Sequence, residues 1–253
     1  MPDTGEVTLT SKELGWAADA TRFRLELPPG KIDVFGAIRS SGIALLVFPL
    51  GREAVEGAYR RHEDQAFILV NSLRARSRQR FTAAHELGHH VLHGDRLAAV
   101  VDDYLPMDGK EAASPAENEA DLFASHFLMD EASVRAEAEG MSDPLDLVVR
   151  MTTNFGVSKP AACRRLKELG ILDPTTASRI EKSRAPLREK LRDLELDESA
   201  TLTDGARDPG TSYRDWMDYL VSLGLIPAEQ RRRLARFLPR GSSPSEQTRV
   251  SSR

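Results

Sequence analysis

Apolar positions along the chain fall into short periodic blocks separated by glycine, proline and charged breaks. Residues 1–20 are polar and carry no decisive period, and Leu25-Glu26-Leu27-Pro28-Pro29-Gly30 cannot hold regular structure, because proline fixes φ and removes an N–H. Residues 31–40 place Ile32, Phe35, Ala37 and Ile38 at helical spacing and predict a short amphipathic helix ended by Ser41-Gly42. Residues 43–49 are apolar on both faces and of strand length, the pattern of a buried strand. Residues 57–61 and 66–71 flank the polar turn His62-Glu63-Asp64-Gln65 and predict a hairpin.

A basic connector, residues 74–80, leads from this hairpin into a helix whose apolar stripe is Ala84, Leu87 and Val91, with Phe81 one turn earlier. The connector is expected to be solvated, and Gly94 to end the helix. After a short helix of uncertain limits and a loop over residues 107–115, a second strong helix over 117–129 presents Ala120, Phe123, Ala124 and Phe127 to a core. Residues 145–155 form a further amphipathic helix, Gly156-Val157-Ser158 a tight turn, and 159–169 a helix with Ser158 as N-cap and Pro160 in its first turn. Helix, glycine turn, helix is the outline of a helix-turn-helix. A short helix over 176–182 follows Pro174. Beyond Ala185 the pattern predicts helices over 187–194, 213–223 and 228–238, a linker over 196–210, and a disordered Ser/Arg/Pro-rich tail over 239–253.

The first strong helix carries His85-Glu86-Leu87-Gly88-His89. An α-helix turns about 100° per residue, so side chains four apart lie about 40° apart on one face, and both imidazoles can reach one metal ion. Glu86 is too close in sequence to His85 to be a good third ligand, but it is well placed to take a proton from water at that ion. A catalytic zinc takes three protein ligands and keeps one position open. Glu117 lies 28 residues beyond His89, across a loop long enough to return a second helix antiparallel to the first, and is the expected third ligand. Asp121 shares its face and can accept the second ring N–H of a ligating histidine, fixing its tautomer. Glu119, turned about 200° from Glu117 on the helix, competes for the third position. His93 falls on the ligand face and His90 off it, and both are expected on the helix surface or in packing. Tyr59, Tyr104 and His126 are available to stabilise an oxyanion, but nothing singles one out, and each is expected to be structural.

Composition narrows the setting. The 253 residues are 40% hydrophobic and 29% charged, as in a soluble globular protein, and the net charge of −4 leaves no basic excess of the kind a dedicated nucleic-acid binder carries. Cys163 is the only cysteine, which excludes an internal disulfide and a cysteine-cluster metal site; a reduced, cytoplasmic setting is expected. The start, Met1-Pro2-Asp3-Thr4-Gly5-Glu6, lacks the basic and apolar regions of a leader. The most apolar run, residues 43–50, has about half the length that a membrane-spanning helix needs, so no membrane association is expected.

Phe81-Thr82-Ala83-Ala84-His85-Glu86-Leu87-Gly88-His89, followed by Glu117-Asn118-Glu119-Ala120-Asp121-Leu122-Phe123-Ala124, resembles the ImmA/IrrE family of bacterial metallopeptidases, over about residues 30–180. One departure is visible. The family usually has a proline after the residues that close the second motif, where Phe127-Leu128-Met129 is here followed by Asp130. The resemblance implies an α+β fold, with a zincin-like catalytic domain built from a small antiparallel or mixed sheet and the motif helix, plus a helical, helix-turn-helix-like C-terminal part. It implies zinc held by His85, His89 and Glu117, Glu86 as catalytic base, and cleavage of a helix-turn-helix repressor in a regulatory or stress response. The corresponding division is an N-terminal extension over 1–30, a metallopeptidase domain over 31–142, a helix-turn-helix-like segment over 143–184, a helical appendage over 185–238 and the tail over 239–253. Strand 66–71 is expected to form the sheet edge on which an extended substrate pairs by strand addition.

Two other functions compete. In one, residues 157–169 form a DNA-recognition helix whose Lys159, Arg164, Arg165 and Lys167 contact phosphates, against which stand Glu168 and the acidic net charge. In the other, the zinc domain is a ligand sensor with little intrinsic protease activity.

Overall fold

The computed structural model describes residues 8–48, 56–62, 65–97 and 114–183. Its elements are α1 Ser11–Arg24, α2 Val34–Ser40, β1 Ala44–Phe48, β2 Gly57–His62, β3 Gln65–Asn71, α3 Arg76–Leu97, α4 Pro115–Leu128, α5 Glu131–Ala138, α6 Pro144–Phe155, α7 Lys159–Glu168 and α8 Pro174–Lys182. The expected features over 98–113 and from 184 onward, Tyr104 and the C-terminal helices included, lie outside the described residues.

The sheet has three strands in the order β1-β3-β2. β1 runs parallel to β3 from Ala44↔Phe67 to Phe48↔Asn71, and β2 runs antiparallel to it from Gly57↔Val70 to His62↔Gln65. The predicted hairpin and buried strand are thus present, but β3 lies at the centre with a partner on each side. It cannot be the substrate edge expected for residues 66–71. Its apolar residues on both faces, Phe67, Ile68 and Val70, all buried, mark a central strand. The edge strand against α3 is β2.

α1 replaces the ambiguous start. Thr10 and Glu13 form a reciprocal capping box: the Thr10 hydroxyl accepts the Glu13 N–H and the Glu13 carboxylate accepts the Thr10 N–H. The face it buries is Leu14, Gly15, Ala18, Thr21 and Arg22, so its periodicity is hidden in small and polar residues. The Arg22 guanidinium donates to the Phe127 carbonyl at 2.8 Å and pairs with Asp130 at 3.1 Å, which ties α1 to the end of α4. Asp130 also caps α5, accepting the Ser133 N–H at 2.9 Å, so the residue that departs from the family proline starts a new helix.

α3 is longer at both ends than expected. The basic run forms its first turn: Arg76 lies over the Phe35 ring, Gln79 donates to the Ser72 and Arg74 carbonyls, and buried Arg80 donates to the Phe155 carbonyl. Gln79 and Arg80 are buried while Ala75 and Arg78 are exposed, so the connector expected to be solvated is solvated only in part. Gly94 is buried within the helix, which continues to Leu97; an interior glycine costs about 1 kcal/mol relative to alanine and does not by itself end a helix. Proline-started helices account for the other boundary differences, since Ser114, Asp143 and Asp173 cap α4, α6 and α8 one residue before Pro115, Pro144 and Pro174. α6 and α7 meet at Gly156, whose φ of 65° is the left-handed conformation that glycine adopts without penalty. One hydrophobic core runs from Ala18 in α1 to Ile180 in α8, with Phe123, Phe127 and Phe155 fully buried in it.

Candidate metal centre

The centre forms where α3 and α4 approach closely. A Cβ on Gly88 would stand 3.0 Å from the Phe123 ring and 3.2 Å from the Ala120 Cα, so glycine at 88 and alanine at 120 set the separation of the two helices. The second contact is with the sheet. A Cβ on Gly57 would stand 2.3 Å from Thr82 Cγ2 and 2.9 Å from Glu86 Oε1, so the bare backbone of β2 leaves the space that Glu86 fills.

Across this contact His85, His89 and Glu117 converge. His85 Nε2 lies 3.1 Å from Glu117 Oε2 and 3.1 Å from His89 Nε2, and His89 Nε2 lies 3.3 Å from Glu117 Oε1. Three donors held about 2.0–2.1 Å from a central ion at tetrahedral angles stand about 3.3 Å apart, so the spacing fits a zinc-sized cation. The hydrogen bonding fits it too. The second ring nitrogen of His85 faces Asp121 Oδ1 at 2.8 Å, and that of His89 faces His93 Nδ1 at 3.1 Å. With protons on those outer nitrogens, both Nε2 lone pairs and a carboxylate point at one place, which is costly unless a cation is shared there. A proton can supply part of that charge. Burial pushes the His85 imidazole down, but hydrogen bonds to Asp121 and Glu117 and the charge of Glu86 overcome it and lift it to about 10. The bonds to His85 and His89 hold the Glu117 carboxyl well below the usual carboxylate range. His, His and carboxylate is also the donor set that a catalytic zinc takes.

Glu86 is buried beside the ligands and accepts the backbone N–H of Tyr59 on β2. Burial raises its carboxyl, the positive charge of His85 opposes this, the Glu117 carboxylate adds to it, and it rests at about 7.

The five residues singled out by spacing, His85, Glu86, His89, Glu117 and Asp121, are therefore brought together. Glu119 does not reach the ligand point. It is buried and accepts a hydrogen bond from His93 Nε2 at 2.9 Å. His93 is correspondingly neither on the surface nor simply packed, and spacing had shown only that it lies on the ligand face. His90 Nδ1 lies 3.0 Å from the Tyr59 hydroxyl. His126 lies in a separate cluster with Ser11, Arg165 and Glu168. Of the four cations expected to contact phosphate, Arg165 is fully buried and donates to the Met129 carbonyl, and Lys159 donates to the Ser183 carbonyl; Arg164 and Lys167 are exposed.

The sequence profile of peptidase M78, described as the IrrE N-terminal-like domain, matches residues 38–167, slightly more than half of the chain. Over 129 residues the chain is 30% identical to the radiation response metalloprotease IrrE of Deinococcus radiodurans, a match covering 50% of this chain and 37% of that protein. A solved structure of a Mycobacterium tuberculosis transcriptional regulator aligns at a TM-score of 0.44 and 20% identity, covering 62% of this chain and 46% of the other. The chain thus spans less than half the length of either. No helix among the described residues is long and apolar enough to cross a membrane.

Proposed function

This chain belongs to the IrrE N-terminal-like peptidase family, and on that premise we propose that it is a zinc-dependent endopeptidase with a zincin-like catalytic domain, acting on a protein substrate. The observation that carries the reading is the convergence of three acceptors, His85 Nε2, His89 Nε2 and a Glu117 carboxylate, next to a buried glutamate. His85, His89 and Glu117 hold the ion, and Asp121 orients His85. A zinc ion bound there would act as a Lewis acid toward the scissile carbonyl and acidify water. Glu86 takes the proton from the attacking water and delivers it to the leaving amine, as a carboxylate fixed by the Tyr59 N–H and shielded from bulk water is suited to do. The substrate lies extended along β2, the edge strand against α3, and pairs with it by strand addition. The substrate class is a helix-turn-helix transcriptional repressor, cleaved in the cytoplasm in a regulatory or stress response.

The test is incubation of the protein, with Glu86→Gln beside it, with the repressor encoded next to its gene. Cleavage by the wild type, reduced about 10²–10⁴-fold in the variant while zinc content is retained, is the expected result. Intact repressor in both, with one zinc bound per chain, would replace the enzyme with a ligand sensor.

A further inference from the structure

Each histidine at the ligand point has its outer ring nitrogen occupied, but by different means. Asp121 takes the His85 Nδ1–H directly at 2.8 Å. For His89 the support is a buried chain that leaves the catalytic helices altogether. His89 Nδ1 lies 3.1 Å from His93 Nδ1, His93 Nε2 lies 2.9 Å from Glu119 Oε2, and Glu119 Oε1 accepts the Leu9 N–H at 2.7 Å. With His93 neutral and Glu119 ionised, one arrangement of protons satisfies every link. Leu9 N–H and His93 Nε2–H donate to the two oxygens of Glu119, His93 Nδ1 is left as an acceptor, and His89 Nδ1–H donates to it. That fixes the His89 tautomer with its Nε2 lone pair turned toward Glu117 and His85.

We propose that His93 and Glu119 are positioning residues of the metal centre, and that through them the N-terminal segment, residues 8–24, is part of that centre. This segment lies outside the matched residues 38–167. It is nevertheless fastened along α4, the helix that carries Glu117, Glu119 and Asp121. Leu9 N–H bonds Glu119 near its start, and Arg22 bonds the Phe127 carbonyl and Asp130 at its end. Between them, the Ser11 hydroxyl donates to Glu168 of α7 at 2.7 Å. A metal at His89 Nε2 requires the His89 proton on Nδ1, and so favours the arrangement in which His93 donates from Nε2 to a Glu119 carboxylate that the Leu9 N–H holds in place. By linkage, docking of the segment and metal binding strengthen each other equally.

The inference rests on the metal-centre reading but not on peptidase activity, so its test reads zinc binding and amide exchange in the full chain. Zinc affinity is measured by competition with a chelator, and exchange of the Leu9 amide and the α1 amides with and without zinc. In the wild type zinc slows that exchange. His93→Phe keeps the ring and removes both bonds; it weakens zinc binding about 10–100-fold, as loss of a residue supporting a ligand does, and uncouples α1 exchange from zinc. Glu119→Gln falls near the lower end, because its amide oxygen still accepts one bond. Leu9→Pro removes a single N–H and leaves the centre's side chains in place, so it tests the link even if the buried variants do not fold, with a weakening of about threefold to tenfold expected. Variants that lose thermal stability equally with and without zinc, yet bind zinc within twofold of the wild type, would overturn the proposal by making the chain a packing feature. Zinc-independent α1 exchange in the wild type would overturn the N-terminal link. A wild type that binds no zinc would overturn the metal centre, and this inference with it.

Discussion

Among the described residues, two clusters set histidine against glutamate at hydrogen-bonding distance, and only one gathers its acceptors at a point that could hold a metal ion. At the ligand point of α3 and α4, His85, His89 and Glu117 present acceptors to one another at 3.1–3.3 Å. Where α1, α4 and α7 meet, His126 Nε2 and Glu168 Oε1 lie 2.8 Å apart, a comparable distance, but donors surround them. Arg165 Nη1 lies 2.9 Å from Glu168 Oε2 and 3.3 Å from His126 Nε2, and the Ser11 hydroxyl donates to Glu168 at 2.7 Å. Burial pushes the Glu168 carboxyl up, but the bonds from His126, Ser11 and Arg165 outweigh it and bring it down to about 2. A metal centre is therefore distinguished by its shortage of donors. The α1–α4–α7 cluster is a satisfied brace, which takes up His126 and Arg165.

Removing the donors from the brace should break the contrast most sharply. Arg165→Met deletes a fully buried guanidinium that bonds Glu168 and the Met129 carbonyl; that carbonyl and Glu168 Oε2 lose their donor, while Glu168 Oε1 keeps Ser11 and His126. A loss of about 3–5 kcal/mol in urea-induced unfolding is expected, with zinc affinity within twofold of the wild type. A parallel collapse of zinc affinity would show that brace and centre are one unit.

The opposite change, removing a charge from the donor-poor centre, should stabilise the metal-free protein. Burial raises the Glu86 carboxyl from 4.5 to about 7, so the folded chain binds this proton more tightly than the unfolded chain. The stability it contributes is present below about 4.5 and is lost as pH rises through about 7. Glu86→Gln carries no such proton. In unfolding titrations with a chelator present it should gain under about 1 kcal/mol at about pH 5 and about 3 kcal/mol at about pH 8. An equal gain at both pH values would show that the carboxyl is not held up by burial.

The contrast between the clusters also explains how far the sequence could be read. The residues of the candidate centre are legible because a helix puts i and i+4 on one face, so His85 with His89, and Glu117 with Asp121, are paired by local geometry. The hairpin and the capped helices are legible for the same reason. What pairs with an outer ring nitrogen depends on tertiary placement: His93 was visible on the right face, but its partner Glu119 and the Leu9 amide belong to other elements. α1 escaped the periodicity search because Gly15, Ala18, Thr21 and Arg22 bury a face with almost no large apolar side chains, although Thr10-Ser11-Lys12-Glu13 spelled out its cap. Strand order escaped as well, because hairpin pairing does not say which of the two strands takes a further neighbour; the parallel pairing of β1 with β3 decides that.

The smallest expected effect tests whether a single oriented acceptor separates the two clusters. Asp121 can only accept, so it holds the His85 proton on Nδ1 and leaves Nε2 to face His89 and Glu117. Asp121→Asn keeps the size and one acceptor but loses the charge, and it offers an N–H₂ that, if turned toward Nδ1, would stabilise the wrong tautomer with its proton pointing into the centre. The side chain is half exposed, so water can satisfy whichever amide group faces outward and the fold should be little disturbed. Zinc affinity measured by chelator competition should fall about tenfold, the lower end of the range for residues that orient a ligand, with the unfolding midpoint of the metal-free protein nearly unchanged. Unchanged affinity would mean that convergence of the three acceptors suffices without an oriented partner. The centre would then differ from the brace only in the number of its donors, and not in where they point.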